Sequence, residues 1–189
     1  QTSIDLGLPV PERSRAGHVI GLGVHEAMKI VAPTLPGERY PEFVARYREH
    51  FLAREPVMRL FDGMEPLLRR LARRRFLAIA TGKSRRGLDR ALAASGLAPC
   101  FAATRCADET HPKPHPAMLL ELLQALAVPP EEALMIGDTS HDMRMARAAG
   151  VHGLAVSYGA HPEPELRACE PHGCVASVAE LDAWLARHG

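Results

Sequence analysis

The sequence has no apolar run approaching the roughly 20 residues that a membrane-spanning helix needs. It also lacks an excess of charge, since 23 Lys and Arg residues stand against 22 Asp and Glu residues, for a net charge of +1. No global field therefore favours nucleic acid or an anionic membrane, and any anionic substrate must be held by a local site. We expect a soluble, cytoplasmic protein with neither nucleic acid nor membrane among its partners.

Cysteine is also scarce. The four cysteines, Cys100, Cys106, Cys169 and Cys174, are too few for a disulfide scaffold and show no Cys-x-x-Cys spacing. His172 lies between the last two, but a fourth ligand for a soft metal is missing. We predict reduced, unpaired thiols.

Two helical patterns occupy the first third of the chain. One runs from Val24 to Val31, and the other begins at Pro41 and repeats an aromatic residue every fourth position on one face. The chain length allows one core with a small appendage. We predict a small helical domain over residues 1–57, ended near Pro56; the three aromatic residues are Phe43, Tyr47 and Phe51.

After Pro56, helical patterns alternate with short apolar runs, which is typical of a parallel sheet flanked by helices. Asp62 and Glu65 have the spacing of a capping box for the first of these helices. We predict an α/β, Rossmann-like fold over residues 58–189. Its strands are expected at residues 76–80, Leu134–Gly137 and 153–157, and two of its helices end at Gly96 and Gly150.

The first candidate site feature is Thr81-Gly82, which follows the strand predicted at residues 76–80. Ligands of open α/β sheets bind beyond the carboxyl ends of the strands, where helix N-termini present unpaired N–H groups. A hydroxyl and nearby amides can donate to phosphate oxygens there, while glycine allows close approach. An ordinary turn capped by Thr81 is the alternative. A nucleotide-binding P-loop is excluded, because Leu77 stands where its first glycine belongs.

The second feature is Lys113, which lies among alternating prolines. Prolines restrict the backbone to extended geometry, so we expect the ammonium to be directed at a phosphate or at carboxylates. A rigid surface loop with a solvated lysine is the alternative. His111 and His115 flank this segment, but the prolines exclude the helix that would align them as metal ligands. The prolines are Pro112, Pro114 and Pro116.

The third feature is a pair of carboxylates. Asp138 ends a predicted strand, and Asp142 lies four residues later in the first turn of the next helix, so both can offer hard oxygen ligands to Mg²⁺. Helix capping is the alternative for either residue alone, but the strand position of Asp138 makes capping insufficient. His141 is expected on the surface.

Taken together, these features resemble three of the four signature motifs of the haloacid dehalogenase-like hydrolases, and the helical domain resembles the cap of their phosphoglycolate phosphatase branch. The resemblance covers essentially the whole chain. It implies that Thr81 and Gly82 bind the transferring phosphoryl group, that Lys113 stabilises it together with the nucleophile, and that Asp138, with Asp142 directly or indirectly, holds Mg²⁺. It also implies hydrolysis of a small phosphorylated metabolite through an aspartyl-phosphate. The motifs are Ala80-Thr81-Gly82-Lys83, Lys113-Pro114-His115-Pro116 and Gly137-Asp138 through Asp142.

The family's first motif, Asp-x-Asp-x-Thr, has no counterpart here, because Asp5 is followed by Leu6 and Gly7 and follows no strand. Its first aspartate is the nucleophile and its second a general acid and base. The resemblance implies that this strand lies upstream of Gln1 in sequence and between the strands that end at Thr81 and Asp138. We expect the chain as printed to be inactive without it.

Two other functions remain open. A dehalogenase of the same family would attack carbon without a metal, which the carboxylate pair disfavours. A catalytically inactive phosphate- or partner-binding module is favoured by the missing nucleophile. Gly21-Leu22-Gly23 is either a substrate-facing loop or a plain turn, and it lacks the third glycine and the preceding strand of a dinucleotide-binding motif.

Overall fold

Four α-helices form the N-terminal part of the computed structural model, which describes residues 1–53 and 59–188. The second predicted helical pattern begins one residue before Pro41, while its predicted end near Pro56 lies outside the described residues. The apolar side chains of this part form a cluster of their own. The helices are α1 (Thr2–Asp5), α2 (Arg13–His18), α3 (Val24–Val31) and α4 (Tyr40–Ala53).

The aromatic face predicted for α4 is only partly buried. Phe43 packs in the N-terminal cluster with Met28 and Leu35. Tyr47 and Phe51 are 44% and 41% exposed. The cluster therefore covers only the first half of α4, although the aromatic spacing continues beyond it.

Strands and helices alternate in the rest of the chain, and every strand pair is parallel. The predicted α/β fold with parallel strands and flanking helices is confirmed. No helix of the described residues is long and apolar enough to cross a membrane. The elements are α5 (Met64–Leu71), β1 (Ala78–Thr81), α6 (Arg85–Ser95), β2 (Ala103–Cys106), α7 (Ala117–Leu126), β3 (Leu134–Gly137), α8 (Ser140–Ala148), β4 (His152–Val156), α9 (Glu163–Arg167), β5 (Gly173–Val175) and α10 (Val178–His188).

The strands form two sheets. β1 pairs with β2, and β4 lies between β3 and β5. Among the described residues β1 and β3 are not paired with each other, so each keeps one edge without a strand partner. Both nevertheless pack against one cluster beneath α7 and α8, in which Ala80 of β1 and Met135 of β3 contact side chains that include Met118 and Met145. This shared cluster holds the carboxyl ends of the two sheets in one region.

The predicted capping box of α5 is wrong. The helix begins at Met64, after Gly63 with φ of +82°, and no side chain caps it. Glu65 instead accepts a hydrogen bond from Arg69 at 2.9 Å, one turn later. Because the left-handed glycine delays the helix start, Asp62 lies too early in the chain to cap it.

The cysteines are all free, as predicted. Cys100 and Cys106 are buried, and Cys169 and Cys174 are partly buried.

Candidate functional site

Thr81 ends β1, and its hydroxyl oxygen accepts a hydrogen bond from the Lys83 N–H at 3.1 Å. Ser84 then caps α6 by accepting from the Gly87 N–H. Thr81 thus shapes the turn between strand and helix, while Ser84 rather than Thr81 caps the helix. The contact uses the Thr81 oxygen as an acceptor, which leaves the hydroxyl proton available for an anion.

Gly82 lies against the main chain of residues 21–23. A Cβ at position 82 would lie 2.7 Å from the Leu22 carbonyl oxygen and would overlap the main chain of Gly21. No side chain larger than hydrogen fits there without movement. The turn after β1 and residues 21–23 are therefore in direct contact.

Residues 21–23 also reach the other two predicted site features. A Cβ on Gly21 would lie 3.0 Å from Cγ2 of Thr139, next to Asp138 in sequence. A Cβ on Gly23 would lie 3.3 Å from Cβ of Pro112, next to Lys113. The segments that carry the three predicted features therefore surround residues 21–23, which lie at the meeting point of the helical part and the strand ends.

Lys113 is 7% exposed, and its Nζ donates to Oδ1 of Asp142 at 2.6 Å. The solvated surface lysine is thereby excluded. The extended backbone predicted for this segment is wrong, because the His115 N–H donates to the Pro112 carbonyl oxygen at 3.1 Å and so closes a turn. The lysine is presented from a tight turn.

Both carboxylate oxygens of Asp142 have protein donors. Oδ1 accepts from Lys113, and Oδ2 accepts from the N–H and the hydroxyl of Thr139 at 3.1 and 2.8 Å. Thr139 in turn accepts from the Asp142 N–H, which completes a capping box at the start of α8. Asp142 thus fixes Lys113 and the first turn of α8, and its ligation of a metal stays a prediction.

The Asp138 carboxylate has fewer hydrogen-bond donors around it than that of Asp142. Its Oδ2 accepts from the Ala160 N–H at 2.9 Å, while Oδ1 has no hydrogen-bond partner among the described residues. Burial, and then the nearby Asp138 charge, raise the pKa of Tyr158. Gly159 also adjoins Asp138, and a Cβ there would overlap its side chain. One oriented carboxylate with a free oxygen fits a hard cation such as Mg²⁺, which keeps several waters as ligands.

The prediction that His141 lies on the surface is wrong, because the residue is only 2% exposed. Its Nε2 lies 2.7 Å from the main-chain oxygen of His18, and its ring also meets that of His161. Burial is the main cause that lowers the pKa of His141. The prediction failed because α2 covers this position, and no local pattern near residue 141 indicates that contact.

Comparisons with known proteins point to one family. A family model described as haloacid dehalogenase-like hydrolase matches residues 1–156. A Dickeya dadantii protein named "Probable phosphatase IndB" is 34% identical over 184 residues, covering 94% of this chain and 80% of the relative. A phosphoglycolate phosphatase of Nitrosococcus oceani is 27% identical over 190 residues, covering 96% and 84%. The structure of a haloacid dehalogenase-like hydrolase from Streptococcus pneumoniae superimposes with a TM-score of 0.81 at 25% identity, covering 97% of this chain and 86% of the other.

Proposed function

The chain belongs to the haloacid dehalogenase-like hydrolases, and we propose that it acts as a magnesium-dependent phosphatase of a small phosphorylated metabolite. One observation carries this proposal: the buried ammonium of Lys113, held by Asp142 beside the end of β3. A buried cation is costly unless it is paired, and one that is paired by a single carboxylate oxygen keeps donors for another anion.

The groups of the site can bind the phosphoryl oxygens and offset their negative charge during phosphoryl transfer. Lys113 has three N–H donors and gives one to Asp142, so two remain for phosphoryl oxygens. The Thr81 hydroxyl and the amides around Gly82 can bind further phosphoryl oxygens. Mg²⁺, held by Asp138, would offset negative charge on the phosphoryl group. Electrostatic stabilisation of this kind is usually the largest contribution to phosphoryl transfer.

The proposed reaction proceeds through an aspartyl-phosphate. A carboxylate oxygen forms a bond to phosphorus while the bond to the leaving oxygen breaks, and that oxygen takes a proton from the second aspartate of the motif. Water then gives a proton to the same aspartate, attacks the acyl phosphate and releases phosphate. Asp142 is not assigned this role, because its side chain is buried and holds both Lys113 and the first turn of α8. The nucleophile is predicted in an Asp-x-Asp-x-Thr segment, which the 189 printed residues do not contain.

We propose residues 1–57 as a cap over this site. Residues 21–23 contact the segments that carry Thr81, Lys113 and Asp138, and these contacts support a role of the cap next to the leaving group of a bound ester. Relatives named phosphatase and phosphoglycolate phosphatase support a phosphomonoester substrate rather than a haloacid.

Phosphate release tests the proposal. Protein expressed from the complete reading frame is assayed with a panel of phosphomonoesters, with Mg²⁺ and with chelator. We expect metal-dependent release, and at least about a 10²-fold loss of kcat in Lys113→Met and Asp138→Asn, which is the usual effect of removing one such group. Lys29→Met is the matched control, because Lys29 is exposed and, within the described part of the chain, pairs only with Glu26.

Three results would argue for another function. Metal-independent halide release from a haloacid would favour the dehalogenase. Binding of phosphate without turnover would favour the inactive module. Turnover by a protein that contains only the 189 printed residues would show that the nucleophile has been wrongly assigned.

A further inference from the structure

Three histidines that are distant in sequence meet where α2 contacts the strand-and-helix part of the chain. His18 ends α2, His141 lies in the first turn of α8, and His161 follows β4. Their ring centroids are 4.9, 5.4 and 5.2 Å apart. One ring nitrogen from each lies within 4.8 Å of the other two. His141 and His161 are buried, and His18 is partly exposed.

Two ring nitrogens in this cluster are buried without a partner. Nδ1 of His141 and Nε2 of His161 have no hydrogen bond among the described residues. Nε2 of His141 faces the main-chain oxygen of His18 at 2.7 Å, so Nε2 carries the hydrogen and Nδ1 presents its lone pair. Buried polar atoms are rarely left unpaired in folded proteins. Their position between three rings therefore points to a ligand.

The Glu165 carboxylate lies beside Nδ1 of each of the other two rings. Its Oε1 lies 3.1 Å from Nδ1 of His18 and 3.0 Å from Nδ1 of His161. It also accepts the Ser140 hydroxyl at 2.7 Å. A carboxylate that accepts Nδ1–H from a histidine fixes the tautomer in which Nε2 can bind a metal, an arrangement that is common around metal sites.

One contact competes with this tautomer. The Ser140 N–H donates to Nδ1 of His161 at 3.1 Å, which requires a lone pair on Nδ1 and places the hydrogen on Nε2. Ligation through Nε2 requires the opposite, with Nδ1–H donating to Glu165. A bound cation would therefore select the tautomer that faces Glu165, and Glu165 acts as a positioning residue.

We propose that His18, His141 and His161 form a binding site for a divalent transition cation such as Zn²⁺, Ni²⁺ or Co²⁺. Imidazole nitrogen suits these cations, whereas Mg²⁺ prefers the oxygen ligands predicted at Asp138. Metal–nitrogen bonds of about 2.0 Å place ligands about 3.3 Å apart in a tetrahedral site, so small ring movements close the site, with water as the fourth ligand. The cation joins α2 to α8.

Co²⁺ is the probe that tests this site, because its visible absorption reports nitrogen ligation. The protein is titrated with Co²⁺ in excess Mg²⁺, and then with Zn²⁺. We expect one Co²⁺ per chain, displaced by Zn²⁺. His18→Ala and His161→Gln should each weaken binding by at least about 10-fold and alter the absorption, and Glu165→Gln should weaken it by about 10- to 100-fold. Binding is measured without substrate, so it does not depend on the proposed phosphatase activity.

The matched control is His152→Ala. His152 and His172 form another pair of neighbouring rings, with centroids 4.5 Å apart, outside the cluster. This variant should bind Co²⁺ as the unaltered protein does. An equal loss in His152→Ala, unchanged affinity in His18→Ala, no binding at all, or loss of the signal in excess Mg²⁺ would each overturn the proposal.

Folding is checked separately, since His161 is buried and its replacement can disturb the core. His18 is partly exposed, so His18→Ala is the decisive variant. A ligand that binds only the folded state raises Tm. Zn²⁺ should therefore raise Tm of the unaltered protein by more than that of His18→Ala at the same concentration; equal shifts in both would refute the site.

Discussion

Removal of the Lys113 ammonium tests the buried ion pair at the centre of the candidate site. The side chains of Lys113 and Asp142 are 7% and 3% exposed, and Nζ lies 2.6 Å from Oδ1. Lys113→Met keeps most of the side-chain volume but removes the charge. Asp142 then keeps its two hydrogen bonds from Thr139 and loses its only cation within ion-pair distance among the described residues.

The expected cost follows from the burial. At an effective dielectric constant of about 20, two unit charges 2.6 Å apart attract by about 6 kcal/mol, most of which offsets their removal from water. Removing one partner of such a pair lowers the free energy of unfolding by more than the intact pair contributes to it, because the remaining charge is buried alone. We expect Lys113→Met to lower the free energy of unfolding by about 3–5 kcal/mol. At about 2–4 °C for each kcal/mol, Tm should fall by roughly 6–20 °C.

Urea unfolding of the single variants and the double variant measures this cost. Lys113→Met combined with Asp142→Asn removes both charges, so the double variant should be more stable than the sum of the two single losses predicts. The control Lys29→Met breaks an exposed pair and should change stability by less than about 1 kcal/mol. A loss in Lys113→Met no greater than in this control, or strictly additive losses, would refute the reasoning.

Three further predictions concern other groups. Hydrogen bonds from Arg85 are the main cause that lowers the pKa of Glu109 to about 2 from 4.5, so this carboxylate should stabilise the fold above pH 4.5 and lose its contribution as pH falls towards about 2. Glu109→Gln should flatten the acid side of stability plotted against pH, and an unaltered curve would contradict this. Burial raises the pKa of the Cys106 thiol to about 11, so the native protein should not be labelled there by a thiol reagent at neutral pH, as peptide mass spectrometry can check. Gly159→Ala should displace the Asp138 side chain and weaken Mg²⁺ binding by about 10-fold or more at unchanged helix content; calorimetry showing equal affinity would count against that contact.

The elements that were predicted well carry local signals at both ends. Helix α3 and strand β3 have the predicted bounds, and α6 ends at Gly96, where φ is +65°. Strand β1 begins later than the apolar run suggested, because Phe76 is exposed. β2 and β5 were missed. β2 contains polar residues such as Arg105, and β5 is only three residues long, so neither shows a hydrophobic pattern distinct from a loop.

The residues of the two candidate sites likewise differ in whether a local sequence signal marks them. The positions of Thr81 and Asp138 at the sheet edge could be predicted because each lies where an apolar run ends, and the position of a strand end in an α/β fold is predictable. The pairing of Lys113 with a carboxylate near that edge could also be anticipated. His18 and His161 could not, since they meet His141 only through tertiary contacts between α2, α8 and the segment after β4. Each is an isolated histidine in sequence, which carries no positional signal.

Residues 18–23 link the two proposed sites. The carbonyl oxygens of Gly21 and Leu22 lie against Gly82, where the amides are proposed to bind phosphate. A carbonyl oxygen accepts hydrogen bonds and repels a phosphate oxygen, so we expect an anion at Gly82 to favour a position of residues 21–23 farther from that glycine. His18 lies only three residues before Gly21, and a cation bound to the histidines would hold it in the described position. The two ligands therefore favour different positions of one segment, and by linkage each should weaken binding of the other.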